Sequence, residues 1–381
     1  MKKQIYIALF FLYFSIAALA QNAIVGDFST GWGGACGNNS DFTFLGPSAG
    51  SSYIVTRTVG STGDKYWRFG VDWGGTIGQY TITPGSDVTI SPGTTYSLNM
   101  TCTTSGSLKY NVSNTSYNYI FKTLNAGSNP TGTFVFFEVQ GTVQSVSSVS
   151  QNPTSGNVFP GQDVTVTANL SGSLSTGQDL YLRYSIDNFS TSTVLKLTGS
   201  GTSYSAIIPG STNTPSENIK YYVFSSGPSN VAANGSNADL YTINLNNNSG
   251  SNYSYTVATG WTTNADGNWG TAGTWTANAV PSTTLSMGAV TINHNVVMNQ
   301  NATLSSLSIN SSKILEISSG FTLTTTGASS IDGTIRNAGT MAVSGGSWTF
   351  TSTGKYQHNY ATTAGTIPSA TWNAEIGRAH V

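Results

Sequence analysis

The sequence predicts an all-β chain, built of two β-sandwich domains followed by a short parallel β-helix. Apolar and polar residues alternate with a period of two along most of the chain, and no long segment repeats with the helical period of about 3.6. Charged residues make up only 8% of the chain, whereas aromatic residues make up 11%. This balance is typical of extracellular β-proteins and argues against a disordered chain.

The first twenty residues have the form of a secretory signal peptide. Lys2 and Lys3 precede an apolar run over residues 5–17, and residues 18–20 read Ala-Leu-Ala, a small-residue cleavage site. We therefore expect export, with an extracellular or cell-surface location. No later apolar run reaches the ~20 residues that span a bilayer, so we expect no transmembrane segment once the signal peptide is removed.

Residues 21–143 are predicted to form the first β-sandwich, with about eight strands. Segments such as SYIVTRTV, KYWRFGVDW and TFVFFEVQG alternate like strands and are separated by Gly, Asn, Ser and Pro. In KYWRFGVDW, Trp67 and Trp73 share one face with other apolar residues, whereas Tyr66 and Asp72 lie on the opposite face. The stretch VQSVSSVSQNP that follows is interpreted as a connector.

Residues 144–257 carry seven short alternating segments with turn residues between them, a pattern that indicates an immunoglobulin-like sandwich. The predicted strands are 164–170, 180–186, 194–197, 204–208, 219–224, 240–245 and 253–257. The core positions expected in the second of these strands are Leu180, Leu182, Tyr184 and Ile186. This assignment leaves Tyr181 and Arg183 on the outer face.

Residues 258–374 contain short strands separated by Asn, Ser and Gly, with very few charges. This pattern favours stacked coils of a parallel β-helix, and an open β-sandwich is the alternative. The expected inward positions are Leu304, Leu307, Ile309, Leu315, Ile317, Phe321 and Leu323. Trp269 and Trp275 are expected to pack over the open end of the coils, because uncapped coils would expose apolar side chains and strand edges.

Several segments resemble modules of one class of bacterial protein. GNWGTAGTWTANAVP, followed by VTINHNVVM and LSSLSINSSKILEISSG, resembles a module of large surface proteins that use the type IX secretion route. In that module a Trp-containing opening caps a short right-handed parallel β-helix, and GKYQHNY with GTIPSATW is similar to the stretch that follows it. DLYLRYSIDNFS and IKYYVFSSG are similar to immunoglobulin-like modules beside glycan-degrading or glycan-binding domains. GDFSTGW and TGTFVFFEVQG resemble the N-terminal modules of the same proteins. The resemblance implies a protein type but supplies no catalytic motif.

The last seven residues, EIGRAHV at positions 375–381, match the translation of a widely used sequencing adapter. We therefore expect that the natural sequence is cut near Ala374. The chain would then be an N-terminal fragment of a longer protein, with a truncated β-helix module at 258–374.

Aromatic side chains provide the main functional signal. Neutral sugars bind by stacking on exposed Trp and Tyr while polar side chains read their hydroxyl groups. The resulting glycan-binding candidates are Tyr66, Trp67, Asp72, Trp73, Tyr181, Arg183 and Tyr222. A core position is the alternative for the two Trp residues, and ordinary cross-strand pairing on an outer face is the alternative for the Tyr residues.

No residue pattern indicates catalysis, a metal or a cofactor. His294 and His358 are interpreted as hydrogen-bonded turn residues, and no carboxylates are paired in the sequence. Cys36 and Cys102 could form a disulfide in an oxidising compartment, with buried free thiols as the alternative. The net charge of −1 gives no basic surplus with which to bind nucleic acid.

These observations predict an exported, modular, non-catalytic region that binds a polysaccharide or surface glycan, mediates adhesion or acts as a spacer. The first alternative is the accessory N-terminal region of a secreted polysaccharide-degrading enzyme whose catalytic domain lies beyond residue 374. The second alternative is a purely structural stalk.

Overall fold

The computed structural model describes residues 22–28, 43–44, 53–73, 76–99, 103, 105–123, 132–227, 238–362 and 365–373. The ordered elements within these ranges are almost all strands. One short α-helix and the 3₁₀ turns Gly210–Thr212 and Ala272–Thr274 complete them. The all-β prediction is confirmed. The predicted signal peptide, Cys36, Cys102 and the last seven residues lie outside the described residues.

Ten strands, β1 to β10, form the first unit. In chain order they span Asn22–Gly26, Thr43–Phe44, Tyr53–Arg57, Gly63–Trp73, Thr76–Tyr80, Val88–Thr89, Thr95–Ser97, Leu108–Val112, Tyr117–Thr123 and Thr133–Gln140. Sheet A has the order β1-β4-β8-β6, with β5 paired to β4, and sheet B has the order β2-β3-β9-β10-β7. Neighbouring strands are antiparallel, apart from the parallel pair β6 and β8.

One face of sheet A and one face of sheet B enclose an aromatic core. Trp67 and Phe69 of β4 meet Phe121 of β9 and Phe136 of β10, and all four are buried. The Trp67 ring lies 5.0 Å from the Phe28 ring and 5.5 Å from the Phe121 ring, edge-on to both. Such edge-to-face pairs are favourable beyond the area that they bury. Trp67 is therefore a core residue, and it presents no ring to a ligand.

Nine strands and the helix α1 form the second unit. The strands β11 to β19 span Val146–Asn152, Val164–Leu170, Asp179–Ser185, Thr193–Lys196, Thr198–Ser200, Ser203–Ile208, Asn218–Ser226, Asn244–Asn246 and Tyr253–Thr256, and α1 spans Ala238–Tyr241. Sheet C has the order β11-β12-β16-β15, and sheet D has the order β14-β13-β17-β18, with β19 also paired to β17. Leu180, Leu182 and Tyr184 pack between these two sheets as predicted.

Three local predictions for the second unit are wrong. The stretch VQSVSSVSQNP is no connector, because residues 146–152 form β11 and pair with β12. Residues 240–245 are not one strand, because α1 ends at Tyr241 and β18 begins at Asn244. Ile186 follows the end of β13 and is 51% exposed, so it lies outside the core.

The four sheets stack in the order A, B, D, C. The outer face of sheet B packs against the outer face of sheet D, and Ile120, Val135 and Phe137 meet Tyr181 and Phe224 there. Residues of α1 join the same buried cluster. Because apolar side chains fill this interface, the first two units form one packed body.

Fourteen strands, β20 to β33, form stacked parallel coils that resemble a β-solenoid. They span Gly260–Thr262, Gly267–Asn268, Ala289–Ile292, Val296–Met298, Ala302–Leu304, Ser306–Ile309, Ile314–Ile317, Thr322–Thr325, Ser329–Ile331, Thr334–Asn337, Thr340–Val343, Trp348–Phe350, Lys355–His358 and Ala370–Trp372. Sheet E has the order β20-β22-β25-β28-β31-β33, sheet F has β21-β23-β26-β29-β32, and sheet G has β24-β27-β30. Their pairs are parallel, so the open-sandwich alternative is wrong.

Columns of stacked apolar side chains fill the solenoid. In sheet E, Ile292, Ile309, Ile331 and Phe350 lie in register on successive coils and are all buried. The other expected inward positions are also buried, with the exception of Phe321, which precedes β27 in a turn and is partly exposed. Strand alternation therefore gave the correct inward face wherever the residue lies within a strand.

The second unit packs against the first coil of the solenoid. The Trp261 Nε1 donates to the carbonyl oxygen of Pro160 at 3.1 Å, and its ring lies 5.2 Å from the Phe159 ring. Trp269 and Trp275 lie in the same coil, both buried, with the Trp275 Nε1 donating to the Trp269 carbonyl at 2.7 Å. The structural role expected for these two Trp residues is confirmed.

Candidate functional site

The structure buries four of the predicted glycan-binding residues, Trp67 in the core of the first unit and three others on sheet D. Tyr181, Arg183 and Tyr222 lie on the outer face of sheet D as predicted, but sheet B covers that face. Their exposed fractions are 5%, 5% and 0%. The expectation that they face solvent is therefore wrong, because a second protein layer occupies the position that was assigned to a ligand.

Tyr181 joins the apolar cluster between the first two units. Arg183 and Tyr222 belong to a buried polar cluster beside it, here called the ionic seam (Lys122, Arg183, Tyr222 and Asp239). Arg183 Nη1 lies 2.7 Å from Asp239 Oδ1 and donates to the Tyr222 hydroxyl at 2.8 Å. Arg183 Nε donates to Ser192 Oγ at 2.8 Å. Burial raises the pKa of Asp239 and of the Tyr222 hydroxyl. Burial lowers the pKa of Lys122 to about 7, and the charge of Asp239 opposes this fall. Arg183, Tyr222 and Asp239 belong to the second unit, and Lys122 of β9 is the member that the first unit contributes.

Tyr66 is the predicted candidate whose side chain lies at the surface. It projects from β4 to the outer face of sheet A, away from Trp67, and it is partly exposed. Asp72 and Trp73 lie on the same strand, but their side chains fall outside the described residues. The surface around Tyr66 is therefore the remaining predicted site that the structure can define.

Alternate residues of two paired strands meet on this outer face. Tyr66 lies opposite Lys109 of β8, and Asp64 lies opposite Asn111. The Lys109 ammonium sits 5.5 Å from the centre of the Tyr66 ring and 2.6 Å from Asp64 Oδ2. Asn111 Nδ2 donates to Asp64 Oδ1 at 2.7 Å. We call these four side chains the Tyr66 patch.

Hydrogen bonds set the protonation states of the Tyr66 patch. The hydrogen bond from Lys109 lowers the pKa of the Asp64 carboxyl, and the one from Asn111 adds to this effect. The reciprocal bond to Asp64 raises the pKa of Lys109. Both groups are therefore charged at neutral pH and cancel each other, so the patch carries no net charge.

The same face continues along β4 to Arg68. Its Nε donates to the carbonyl oxygen of Gly106 at 2.7 Å, and its Nη1 donates to Gln79 Oε1 at 2.8 Å. On the other side of β4, Asp27 Oδ2 accepts a hydrogen bond from the Tyr66 backbone N–H at 2.9 Å. These bonds hold the strand and its polar side chains in fixed positions around the Tyr66 ring.

Comparison with family models, with curated proteins and with solved structures gave no match for this chain. Within the residues that the structure describes, no helix combines the length and hydrophobicity needed to cross a bilayer. The same residues contain no cluster of three or more His, Cys, Asp or Glu with the geometry of a metal site.

The two histidines of the solenoid have ordinary polar contacts. His294 Nδ1 lies 3.3 Å from Thr263 Oγ1, and His358 Nδ1 lies 3.3 Å from the Tyr356 hydroxyl. These contacts agree with the interpretation of both as hydrogen-bonded residues. His358, however, belongs to β32 and not to a turn.

Lys109 and Asn111 are functional candidates that sequence reasoning missed. They occupy alternate positions of the segment LKYNV, so periodicity alone could have placed them on one face of a strand. Their pairing with Asp64 and Tyr66 depends on the register between β4 and β8, which lie some 40 residues apart along the chain.

Proposed function

We propose that this chain is an exported, modular, non-catalytic protein region whose first unit binds an uncharged glycan through the Tyr66 patch. One observation carries the proposal: a partly exposed tyrosine ring lies beside an ammonium, a carboxylate and an amide that already hold one another in place. Sugar recognition needs an apolar ring face together with polar groups of fixed direction. Preorganised groups also lose little entropy on binding.

The charge balance of the patch favours a neutral ligand. Asp64 and Lys109 form an ion pair with side-chain exposures of 38% and 30%. A strongly charged polysaccharide would meet one attractive and one repulsive group at the same place. An uncharged chain can accept a hydrogen bond from Asn111 or Lys109 and donate one to Asp64.

The finer structural proposals follow from the resemblance described above. We propose that the second unit is an immunoglobulin-like sandwich and that the solenoid is a right-handed β-helix. The same resemblance supports a place among surface proteins of the type IX secretion kind. An accessory region of a polysaccharide-degrading enzyme would use the Tyr66 patch in the same way.

A structural stalk is the second candidate function. Apolar packing continues from sheet A to sheet C and then through Trp261 to the solenoid. A chain with packed joints keeps its units at fixed distances and can hold a binding unit away from a surface. The two functions are compatible, because binding would involve the first unit alone and spacing would involve all three packed units.

Retention on insoluble polysaccharides tests the proposed binding. We expect the wild-type chain to be retained on microcrystalline cellulose or chitin, and Tyr66→Ala to weaken retention at least tenfold. Tyr66→Phe keeps the ring and is the matched control, with retention close to wild type. Thermal unfolding of each variant verifies folding. Equal retention of wild type and Tyr66→Ala would contradict the proposal, and retention of neither would leave the stalk as the better account.

A further inference from the structure

An unbroken column of hydroxyl side chains runs along the outside of sheet E. Each member pairs with the next on successive coils. The column consists of Thr262, Thr291, Ser308, Ser330, Thr349 and Thr371. We call it the hydroxyl ladder. In the four central rungs the flanking residues are buried, as in the pairs Val290 and Ile292 or Leu307 and Ile309, so the ladder lies on the outer face.

The hydroxyl groups of the ladder are available to a ligand. All six residues are partly or fully exposed. Within the described part of the chain, no hydrogen bond ties any of these six hydroxyls to another protein group, whereas Thr263 and Thr274 nearby do form such bonds. Free hydroxyls both donate and accept, so they can match another hydroxyl-bearing molecule without a change of protonation state.

Charge is distributed unevenly over the solenoid. The strands of sheet E carry no Asp, Glu, Lys, Arg or His. Sheet F carries Glu316 and Arg336, joined by an ion pair of 2.9 Å, together with Lys355 and His358. Asp332 lies just past β28, at the end of sheet E. The ladder therefore faces solvent as an uncharged surface beside a charged one.

The ladder has a regular repeat. Successive strands lie about 4.8 Å apart, so six rungs extend over roughly 24 Å. This repeat is close to the advance of one pyranose unit in an extended polysaccharide. Two residues beyond the second and third rungs, Asn310 Nδ2 donates to Asn293 Oδ1 at 2.5 Å.

We propose that the hydroxyl ladder binds an extended, uncharged polysaccharide laid along the solenoid axis, with one hydroxyl meeting each sugar unit. This site is separate from the Tyr66 patch and does not depend on it, although both would favour the same class of ligand. The absence of charge on the ladder favours an uncharged polysaccharide, because an uncharged surface has no group that compensates for desolvation of a charged polymer. Two sites on one chain would also raise the avidity for a long polysaccharide.

Matched valine substitutions test the ladder. The double variant Thr291→Val and Thr349→Val removes two hydroxyls but keeps shape and strand preference. The control double variant Thr303→Val and Thr324→Val makes the same change on sheet G, where these residues also stack in register. Binding isotherms of the full chain on microcrystalline cellulose and on chitin should show about tenfold weaker binding for the ladder variant and no change for the control. Ser330→Lys, which places a long cation within the ladder, should weaken binding further.

The outcomes separate this proposal from the Tyr66 patch. Equal binding of wild type, the ladder variant and Ser330→Lys would overturn the ladder, even if Tyr66→Ala still lost binding. If the ladder variants lost polysaccharide binding while Tyr66→Ala bound as well as wild type, the result would support the ladder site and contradict the Tyr66 patch. Binding to charged pectin or alginate, with no binding to cellulose or chitin, would overturn the inference that the ligand is uncharged. Shaping of ice crystals by the wild-type chain, without polysaccharide binding, would also overturn the ladder proposal.

Discussion

Replacing Asp239 by asparagine perturbs the ionic seam by a single charge. The substitution keeps the side-chain shape and one oxygen acceptor, but it leaves the Arg183 guanidinium without its carboxylate. Lys122, buried nearby, loses the same compensating charge. The Arg183 cation then remains without a carboxylate partner in an interface that apolar side chains otherwise fill.

The burial of the pair sets the expected cost. The Arg183 and Asp239 side chains are only 6% and 11% exposed, and their charged atoms lie 2.7 Å apart. Removing one partner of such a buried pair costs about 3–5 kcal/mol. The free energy of unfolding of the docked pair of units should therefore fall by about this amount in Asp239→Asn.

The chain offers a matched control for this experiment. Asp179 pairs with Lys196 at the same 2.7 Å, but the side chains are 20% and 56% exposed. Asp179→Asn should therefore cost less than about 1 kcal/mol. Urea denaturation followed by circular dichroism and by tryptophan fluorescence measures both variants. Equal destabilisation by Asp239→Asn and Asp179→Asn would refute the conclusion that burial makes the Arg183–Asp239 pair the more important of the two for stability.

Three further predictions concern protonation and packing. Burial lowers the pKa of Lys122 from 10.5 to about 7. Between pH 7 and pH 10.5 the unfolded chain therefore binds more protons than the folded chain. The free energy of unfolding should thus rise by about 2 kcal/mol from pH 7 to pH 9, and urea titrations should show that Lys122→Met abolishes this rise. A Cβ on Gly260 would lie 1.8 Å from the Ala289 carbonyl oxygen, so Gly260→Ala should lower the free energy of unfolding by about 3 kcal/mol. A Cβ on Gly273 would meet nothing within 4 Å, so Gly273→Ala should leave the thermal midpoint unchanged. Ile331→Ala should cost about 2–5 kcal/mol by opening a cavity in the solenoid, and a loss as small as that of the exposed Val297→Ala would contradict the packing described here.

The sequence was sufficient to predict the solenoid core, because each inward position is fixed by alternation within a short strand. Leu307, Ile309, Leu315 and Ile317 follow this rule. Alternation is a local property, so it needs no knowledge of which strands pair. Phe321 departs from the rule because it lies in a turn, where a period of two no longer applies.

The burial of Tyr181 and Arg183 could not be derived from alternation. Alternation separates two faces of a strand, but it does not say whether water or another sheet covers the second face. A signal was nevertheless present in β17 and β10, whose apolar runs YYVF and FVFF are almost continuous. Such runs indicate strands that are buried on both faces.

The Tyr66 patch was only half predictable. Tyr66 could be placed on the polar face of its strand from KYWRFGVDW alone. Its partners Lys109 and Asn111 come from a strand that is distant in the sequence. Long-range register depends on the packing of the whole sheet and on turn geometry, and neither can be read from a short segment.

Hydroxyl-radical footprinting of Tyr66 tests the central claim most directly, because oxidation of a tyrosine ring reports its access to solvent. The full chain would be oxidised alone and with soluble oligosaccharides of cellulose or chitin, and the modified residues would be identified by mass spectrometry. The account predicts that oligosaccharide protects Tyr66, whereas the buried Tyr222 remains unreactive in both states. Oxidation of Tyr66 to the same extent with and without saturating oligosaccharide would contradict glycan binding at this face of sheet A.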